Sequence, residues 1–244
     1  MDSVLPLDEN DKKKITYLYE LMSKVLKPHP WHGIPLASEN APQNEYNAFI
    51  EIVPSDSVKY EMDKITGYLR VDRPQKFSNI IPALYGFIPQ TYCNDHLAKY
   101  TNEAEKRSDL VGDGDALDIC VLTEKIIPRG DIIVTAIPIG GFRMIDHDEV
   151  DDKIIAVLKD DSLYGDWRDI GDCPESILNR LRHYFLTYKE IPGQKKKAKV
   201  EITKTYGFEE AKKIIDLTIK DYQEKYNIDY LLKYVSEKVN ETGK

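Results

Sequence analysis

The stretch Asp113-Gly114-Asp115-Ala116-Leu117-Asp118 runs directly into the β-branched segment Ile119-Cys120-Val121-Leu122. Three carboxylates within six residues repel one another unless a positive charge lies among them. Carboxylate oxygens are the ligands that Mg²⁺ and Mn²⁺ prefer. The motif therefore predicts a divalent-metal site at the rim of a β-sheet.

The motif has two other interpretations. An EF-hand loop beginning at Asp113 would need a ligand at its fifth position and glycine at its sixth, where the chain has Leu117 and Asp118. The flanking segments are also strand-like, so the sequence disfavours an EF-hand. A solvated acidic turn without a metal stays open for the motif taken alone.

A second acidic cluster, MIDHDEVDDK at 144–153, leads into the apolar run 154–158. Taken alone, it is typical of a charged hairpin loop. However, each of the two clusters adjoins a β-branched segment, so the two can converge at one end of a sheet. Together they would supply enough carboxylates for two or more divalent ions.

Basic and aromatic residues form a third group. Lys59 and Glu61 alternate along a strand-like segment, so they share one face, and Tyr60 and Met62 share the other. Beside a metal site, arginine, lysine and tyrosine suit a phosphate group. The further candidates of this kind are Arg73, Tyr85, Tyr188 and Lys189.

The composition is that of a soluble acidic protein. The 244 residues carry a net charge of −8, which disfavours general nucleic-acid binding. Three scattered cysteines without a CxxC motif favour free thiols in a reducing compartment. No segment is apolar enough to cross a bilayer, so we expect a cytoplasmic protein that does not bind membranes. The chain also has no GxxxxGK[ST] loop, which disfavours a P-loop NTPase.

Hydrophobic periodicity predicts many short strands followed by helices. The expected strands are 46–53, 58–62, 67–71, 118–123, 131–138 and 153–158, and the expected helices are 8–26, 175–188, 207–221 and 228–239. The polar segment 94–112 is expected to be a loop insertion. This pattern indicates a mainly β or α+β protein, with a closed or sandwiched β core rather than a parallel α/β sheet.

The order and spacing of these segments resemble family I soluble inorganic pyrophosphatases over residues 46–215. The matching pieces are Ile50-Glu51-Ile52, Lys59-Tyr60-Glu61, Val71-Asp72-Arg73, Tyr85-Gly86, the 113–118 motif, Ile139-Gly140-Gly141, Asp146 to Lys153, and the segment from His183 to Lys189. The resemblance implies an OB-like five-stranded β-barrel with C-terminal helices packed outside. On this basis we expect a pyrophosphatase domain at 46–225, an N-terminal helical extension at 1–45 and a C-terminal helical tail at 226–244.

The resemblance also implies the chemistry: Mg²⁺-dependent hydrolysis of pyrophosphate to two phosphates, with Mn²⁺ as a substitute, in a homo-oligomer. Two metals that share a water lower its pKa towards about 7, and this water attacks phosphorus in line. Asp115 matches the general base. The metal ligands match Asp113, Asp118, Asp146, Asp151 and Glu61, with Glu51 as a further active-site carboxylate; the phosphate-binding and catalytic set matches Lys59, Arg73, Tyr85, Lys153, Tyr188 and Lys189.

Three positions depart from the family pattern. Ala116 replaces the usual proline or glutamate, Ile81 replaces a tyrosine, and His147 replaces an acid. Two other functions therefore stay open: a different Mg²⁺-dependent phosphohydrolase, or a catalytically silent binding protein. The intact Asp115 argues against the silent protein.

Overall fold

The computed structural model describes residues 26–76, 79–189 and 200–226. The expected helix at 228–239, and all but one residue of the helix expected at 8–26, lie outside the described residues. The division into residues 1–45, 46–225 and 226–244 stays a prediction.

Ten strands and three α-helices make up the described part of the chain. The strands are β1 (Tyr46–Ile52), β2 (Val58–Met62), β3 (Leu69–Pro74), β4 (Leu84–Phe87), β5 (Val111–Gly112), β6 (Asp118–Leu122), β7 (Ile132–Asp146), β8 (Glu149–Val150), β9 (Lys153–Leu158) and β10 (Val200–Gly207). The helices are α1 (Asp95–Glu105), α2 (Glu175–Thr187) and α3 (Phe208–Lys225), with a 3-10 turn at Ile170–Asp172. No helix among these residues has the length and apolar character needed to cross a membrane.

Five strands close into a ring. β1 pairs with β4 and β7, β4 pairs with β6, and β9 pairs with β6 and β7. Only the β6–β9 pairing in this ring is parallel. The α+β class is confirmed, and the ring is compatible with the OB-like barrel that the resemblance implied. β5, β8 and β10 extend the sheet, and β2 and β3 form a separate hairpin.

The ring strands are largely apolar because both of their faces are buried, and their few polar residues include Glu51 on β1 and Arg143 on β7. On β6, Ile119 and Val121 belong to a core cluster that includes α3, whereas Cys120 and Leu122 belong to a second cluster that includes α2. A strand that is buried on both faces typically has apolar residues at successive positions. The two predicted helices 175–188 and 207–221 correspond to α2 and α3, which pack on the two faces of the sheet.

The prediction of a loop over 94–112 is wrong, because the segment contains α1. The helix buries Leu97, Ala98 and Thr101 on one face. Its N-terminal N–H groups have no local side-chain cap. Instead, Asp221 of α3 accepts hydrogen bonds from the backbone N–H groups of Asn94, His96 and Leu97 at 3.0–3.2 Å. The cap comes from a residue more than 120 positions away, so local sequence does not reveal the helix.

The strand predictions were also incomplete. β4, β5, β8 and β10 were not predicted, β3 lies at Leu69–Pro74 instead of 67–71, and β7 continues to Asp146 instead of ending at 138. β4 has only four residues, and β10 has an exposed, polar pattern that lacks a core signal. The continuation of β7 brings its end to the second acidic cluster.

We predict that Gly86→Ala strongly destabilises the protein. Gly86 lies opposite Ile50 in the β1–β4 pair, and a Cβ atom there would lie 1.8 Å from the carbonyl oxygen of Phe49. The added methyl would force apart two strands of the ring, which we expect to lower the free energy of unfolding by about 3 kcal/mol. Urea unfolding measures this change.

Gly171→Ala is the matched control, because its Cβ would meet nothing closer than 3.7 Å. We expect this variant to stay within about 0.5 kcal/mol of the wild type. Equal stability of the two variants would contradict the close approach of β1 and β4.

Candidate active site

The aspartate motif lies at the start of β6. Asp118 is the first residue of the strand, and the preceding turn contains Gly114 in the left-handed region, with φ of 73°. The Asp113 carboxylate accepts a hydrogen bond from the backbone N–H of Asp115 at 2.9 Å. This turn brings the three carboxylates of the motif to the rim of one cavity.

The second acidic cluster converges on the same cavity. Asp146 is the last residue of β7, and Asp151 lies just before β9. The parallel β6–β9 pairing aligns Asp118 with Lys153. The expectation that the two acidic segments meet at one end of a sheet is therefore correct, and the pairing of β6 with β9 is the reason.

Lys153 is the central cation of the site. Its side chain is only 4% exposed, and its ammonium group donates hydrogen bonds to both Asp118 and Asp151. The Tyr85 hydroxyl donates to the same Asp118 oxygen, Oδ2, at 2.5 Å. A buried charge needs such partners, so these four residues form one interdependent unit.

The hairpin of β2 and β3 forms the opposite wall. Lys59 Nζ lies 3.3 Å from Glu61 Oε2, as their shared face predicted, and 3.3 Å from Asp72 Oδ2. Glu51 on β1 accepts a hydrogen bond from the backbone N–H of Met62 at 2.7 Å, which ties the hairpin to the ring.

The end of α2 closes a third side. Lys189 Nζ lies 2.6 Å from Asp146 Oδ2, and Tyr188 lines the cavity beside it. Arg73 does not line the cavity; its guanidinium group lies 6.0 Å from the centre of the Tyr188 ring and pairs with Asp72.

Burial is the largest single influence on the pKa values of these carboxylates. Burial, reinforced by the charges of Asp151 and Asp118, raises the pKa of Asp113 to about 8. Burial likewise raises the pKa of Glu51 to about 8 despite its hydrogen bond from Met62. Burial would also raise the pKa of Asp146, but hydrogen bonds from Lys189 and His147 hold it below its usual range. The site is thus a crowded negative pocket that favours added positive charge.

The cavity has a volume of about 240 Å³ and brings together every predicted site residue except Arg73. Sequence reasoning missed Trp31, Lys64 and Glu149, which also line it. Lys64 forms an ion pair with Asp115. The sequence offered one indication of this role, which is that Lys64 follows Glu61 by three residues in the same hairpin.

The three residues that depart from the family pattern have different surroundings. Ile81 is 1% exposed within the core cluster of α2, so it does not line the cavity. Ala116 lines the cavity and packs in one buried cluster with Trp31. His147 is in the left-handed region, with φ of 63°, and its Nδ1 lies 2.7 Å from Asp146 Oδ1.

The donor set fits divalent cations. Asp113, Asp118 and Asp151 are carboxylates whose mutual repulsion a divalent charge would relieve. Within residues 26–76, 79–189 and 200–226, no three acidic, histidine or cysteine side chains already surround one point as ligands. The Lys153 ammonium lies between two of these carboxylates and provides part of the positive charge that they need.

The chain is similar to known proteins over most of its length. The family model for inorganic pyrophosphatase matches residues 48–223. An inorganic pyrophosphatase of Chlamydia muridarum is 54% identical over 197 residues, which cover 80% of this chain and 93% of the relative. Soluble inorganic pyrophosphatase 2 of Chlamydomonas reinhardtii is 36% identical, over 81% and 90% of the two chains. The crystal structure of the inorganic pyrophosphatase from Thermus thermophilus superposes with a TM-score of 0.65 at 27% identity, over 80% of this chain and 99% of that one.

Proposed function

The chain belongs to the inorganic pyrophosphatase family and is a hydrolase that acts on diphosphate; from this premise we propose that it hydrolyses pyrophosphate in an Mg²⁺-dependent reaction by direct in-line attack of water. The observation that carries the proposal is the convergence of Asp113, Asp118 and Asp151 around Lys153 in one cavity. Acidic residues that bind cations lie there beside cationic residues that suit phosphate oxygens.

The acidic residues would hold the metal ions. Asp113, Asp118 and Asp151 would bind the first ion, with Asp118 shared with a second. Asp146 and Asp151 would bind ions that arrive with the substrate, and Glu61 and Glu51 complete the acidic wall. Bound Mg²⁺ would supply a lowered pKa for water and positive charge opposite the phosphate oxygens. Mn²⁺ has the same oxygen preference and is the expected substitute.

Asp115 is the proposed general base. Its carboxylate accepts the proton of the attacking water while the water oxygen bonds to one phosphorus and the bridging P–O bond breaks. The turn supports this role because the Asp115 backbone is fixed by Asp113 and Cys93, at 2.9 and 2.8 Å, while its side chain faces the cavity.

The cations and tyrosines would bind the phosphates. Lysine and arginine neutralise phosphate charge, and tyrosine donates a hydrogen bond. Those that line the cavity lie on its different walls, so they can contact both phosphates of the substrate. The proposed set is Lys59, Arg73, Tyr85, Lys153, Tyr188 and Lys189.

We also propose that the protein is a cytoplasmic homo-oligomer without nucleic-acid partners. The three cysteines are buried and unpaired, as predicted, which suits a reducing compartment. The acidic composition disfavours polyanion binding outside the cation-lined cavity. Light scattering of the purified protein measures its oligomeric state.

Phosphate release tests the proposed function. We expect rapid release from pyrophosphate in excess Mg²⁺, slow or no release from ATP and tripolyphosphate, and none when a chelator removes the metal. Preferential hydrolysis of ATP or tripolyphosphate would instead indicate a different phosphohydrolase. No release with Mg²⁺ or Mn²⁺ would indicate a binding protein that kept the fold.

A further inference from the structure

The turn Pro30-Trp31-His32-Gly33 lies against the candidate active site but contains none of the proposed catalytic groups. The backbone N–H of Gly33 donates to the carbonyl of His29 at 2.7 Å, which closes the turn. A Cβ atom on Gly33 would lie 2.7 Å from Pro28 Cβ, so the turn is too tight for a side chain there. Trp31, at its centre, is 2% exposed and borders the cavity.

Trp31 holds the segment 88–93, which follows β4, by two hydrogen bonds. Its indole Nε1 donates to the carbonyl of Thr91 at 2.7 Å. Its own carbonyl accepts from the backbone N–H of Gln90 at 2.9 Å. Both the side chain and the backbone of Trp31 therefore set the position of this segment.

The same segment also forms hydrogen bonds to the aspartate turn. The Thr91 hydroxyl accepts from the backbone N–H of Leu117 at 2.9 Å. The N–H of Cys93 donates to the carbonyl of Asp115 at 2.8 Å, and the carbonyl of Cys93 accepts from Gly114 at 3.0 Å. The segment thus lies between Trp31 and the turn that presents Asp113 and Asp115.

Packing also links Trp31 to the aspartate motif. Trp31 and Ala116 belong to one buried cluster, which also includes Met62 and Phe87. Because Ala116 lies within the motif, the indole ring belongs to the apolar cluster beside the turn as well as to the hydrogen bonds behind it.

We propose that Trp31 is a positioning residue, which acts through Thr91 to hold the aspartate turn in the geometry needed for metal binding and proton transfer. The inference rests on the proposed function. Residues that orient metal ligands typically contribute 10- to 100-fold to metal affinity or activity, and small displacements of reacting groups have similar effects.

Trp31→Phe tests the hydrogen bond, because it keeps an aromatic ring and removes the indole N–H. We expect kcat to fall about tenfold and the Mg²⁺ dissociation constant, measured by calorimetry without substrate, to rise about tenfold. The KM for pyrophosphate at saturating Mg²⁺ should change less than about twofold, since Lys59 lies on β2, Lys153 on β9 and Lys189 just after α2, all outside the aspartate turn.

Trp167→Phe is the matched control, because Trp167 is the other tryptophan of the chain. It stacks on Tyr164 at 4.5 Å between ring centres and does not line the cavity. We expect its kcat and Mg²⁺ affinity to equal those of the wild type. The inference is overturned if Trp31→Phe matches this control in both quantities.

Substitutions at Thr91 test whether Trp31 acts on the aspartate turn through Thr91, and they do so even if the Trp31 variants fold poorly. Thr91→Val, which removes the hydroxyl, should reproduce the loss of kcat and Mg²⁺ affinity, whereas Thr91→Ser should retain both. The double variant with Trp31→Phe should lose little more than Thr91→Val alone, because both act on one segment. Losses that multiply would overturn the route through Thr91.

The Mg²⁺ measurement separates this inference from the proposed function. If the wild type releases no phosphate from pyrophosphate, the proposed function fails, but the effect of Trp31→Phe on Mg²⁺ affinity still tests the positioning role. A lowered melting temperature with unchanged kcat and Mg²⁺ affinity would assign Trp31 a structural role only and overturn the inference.

Discussion

The Asp115→Asn variant is expected to fold like the wild type and to hydrolyse pyrophosphate about a thousandfold more slowly. Asparagine has the shape of aspartate but cannot accept the proton, and general bases typically contribute 10²- to 10⁴-fold. The hydrogen bonds that fix this residue come from its backbone, so the turn is expected to stay in place. The measurement is kcat at saturating Mg²⁺ and pyrophosphate.

Asp131→Asn is the matched control. Asp131 pairs with Lys27 and has a 40% exposed side chain, compared with 41% for Asp115 in its pair with Lys64. Exposed ion pairs contribute about 0–1 kcal/mol, so both variants should unfold at similar urea concentrations. Only Asp115→Asn should lose turnover, and near wild-type hydrolysis by it would refute the assignment of the base.

Lys153→Met is expected to affect stability as well as turnover. In the metal-free protein, the substitution leaves Asp118 and Asp151 without the buried ammonium that pairs with both. Breaking a buried ion pair by removal of one partner costs about 3–5 kcal/mol. We expect a loss of about 3 kcal/mol in urea unfolding with a chelator present, and a fall in kcat of at least about a hundredfold.

Mg²⁺ should restore part of the stability that Lys153→Met loses, because a divalent ion replaces the missing positive charge. The matched control is Lys159→Met, which removes a 38% exposed lysine that pairs with Glu45 just beyond the other end of β9. That variant should lose less than about 1 kcal/mol and should not respond further to Mg²⁺. If both variants lose the same stability in chelator, Lys153 is not the counter-ion of the site.

Much of the site could be predicted because its chemistry is local in sequence. The 113–118 motif lies on one turn before a strand, and the strand period places Lys59 and Glu61 on one face, so spacing alone indicates which side chains share a wall. The resemblance supplied the barrel, since periodicity predicts strands but not their order in a closed ring.

Arg73 shows that a role assigned by matching positions to a family does not by itself fix the direction of a side chain. The residue is on β3, which continues past the predicted end of the strand at 71, and its guanidinium group pairs with Asp72 and lies beside the Tyr188 ring instead of lining the cavity. Side-chain direction depends on the neighbours available in the folded protein, which the motif does not encode.

The acidic motif, the helices α2 and α3 and every ring strand except β4 can be recognised at least in part from local sequence, because each depends on residues within a few turns or positions of one another. Three features became evident only in the folded protein. They are the helix α1, whose N-terminus is capped by Asp221, the contact of Lys64 with Asp115, and the hydrogen bonds that connect Trp31 through Thr91 to the aspartate turn. In each case a buried or charged group must find a partner, and folding brings that partner from a distant part of the chain.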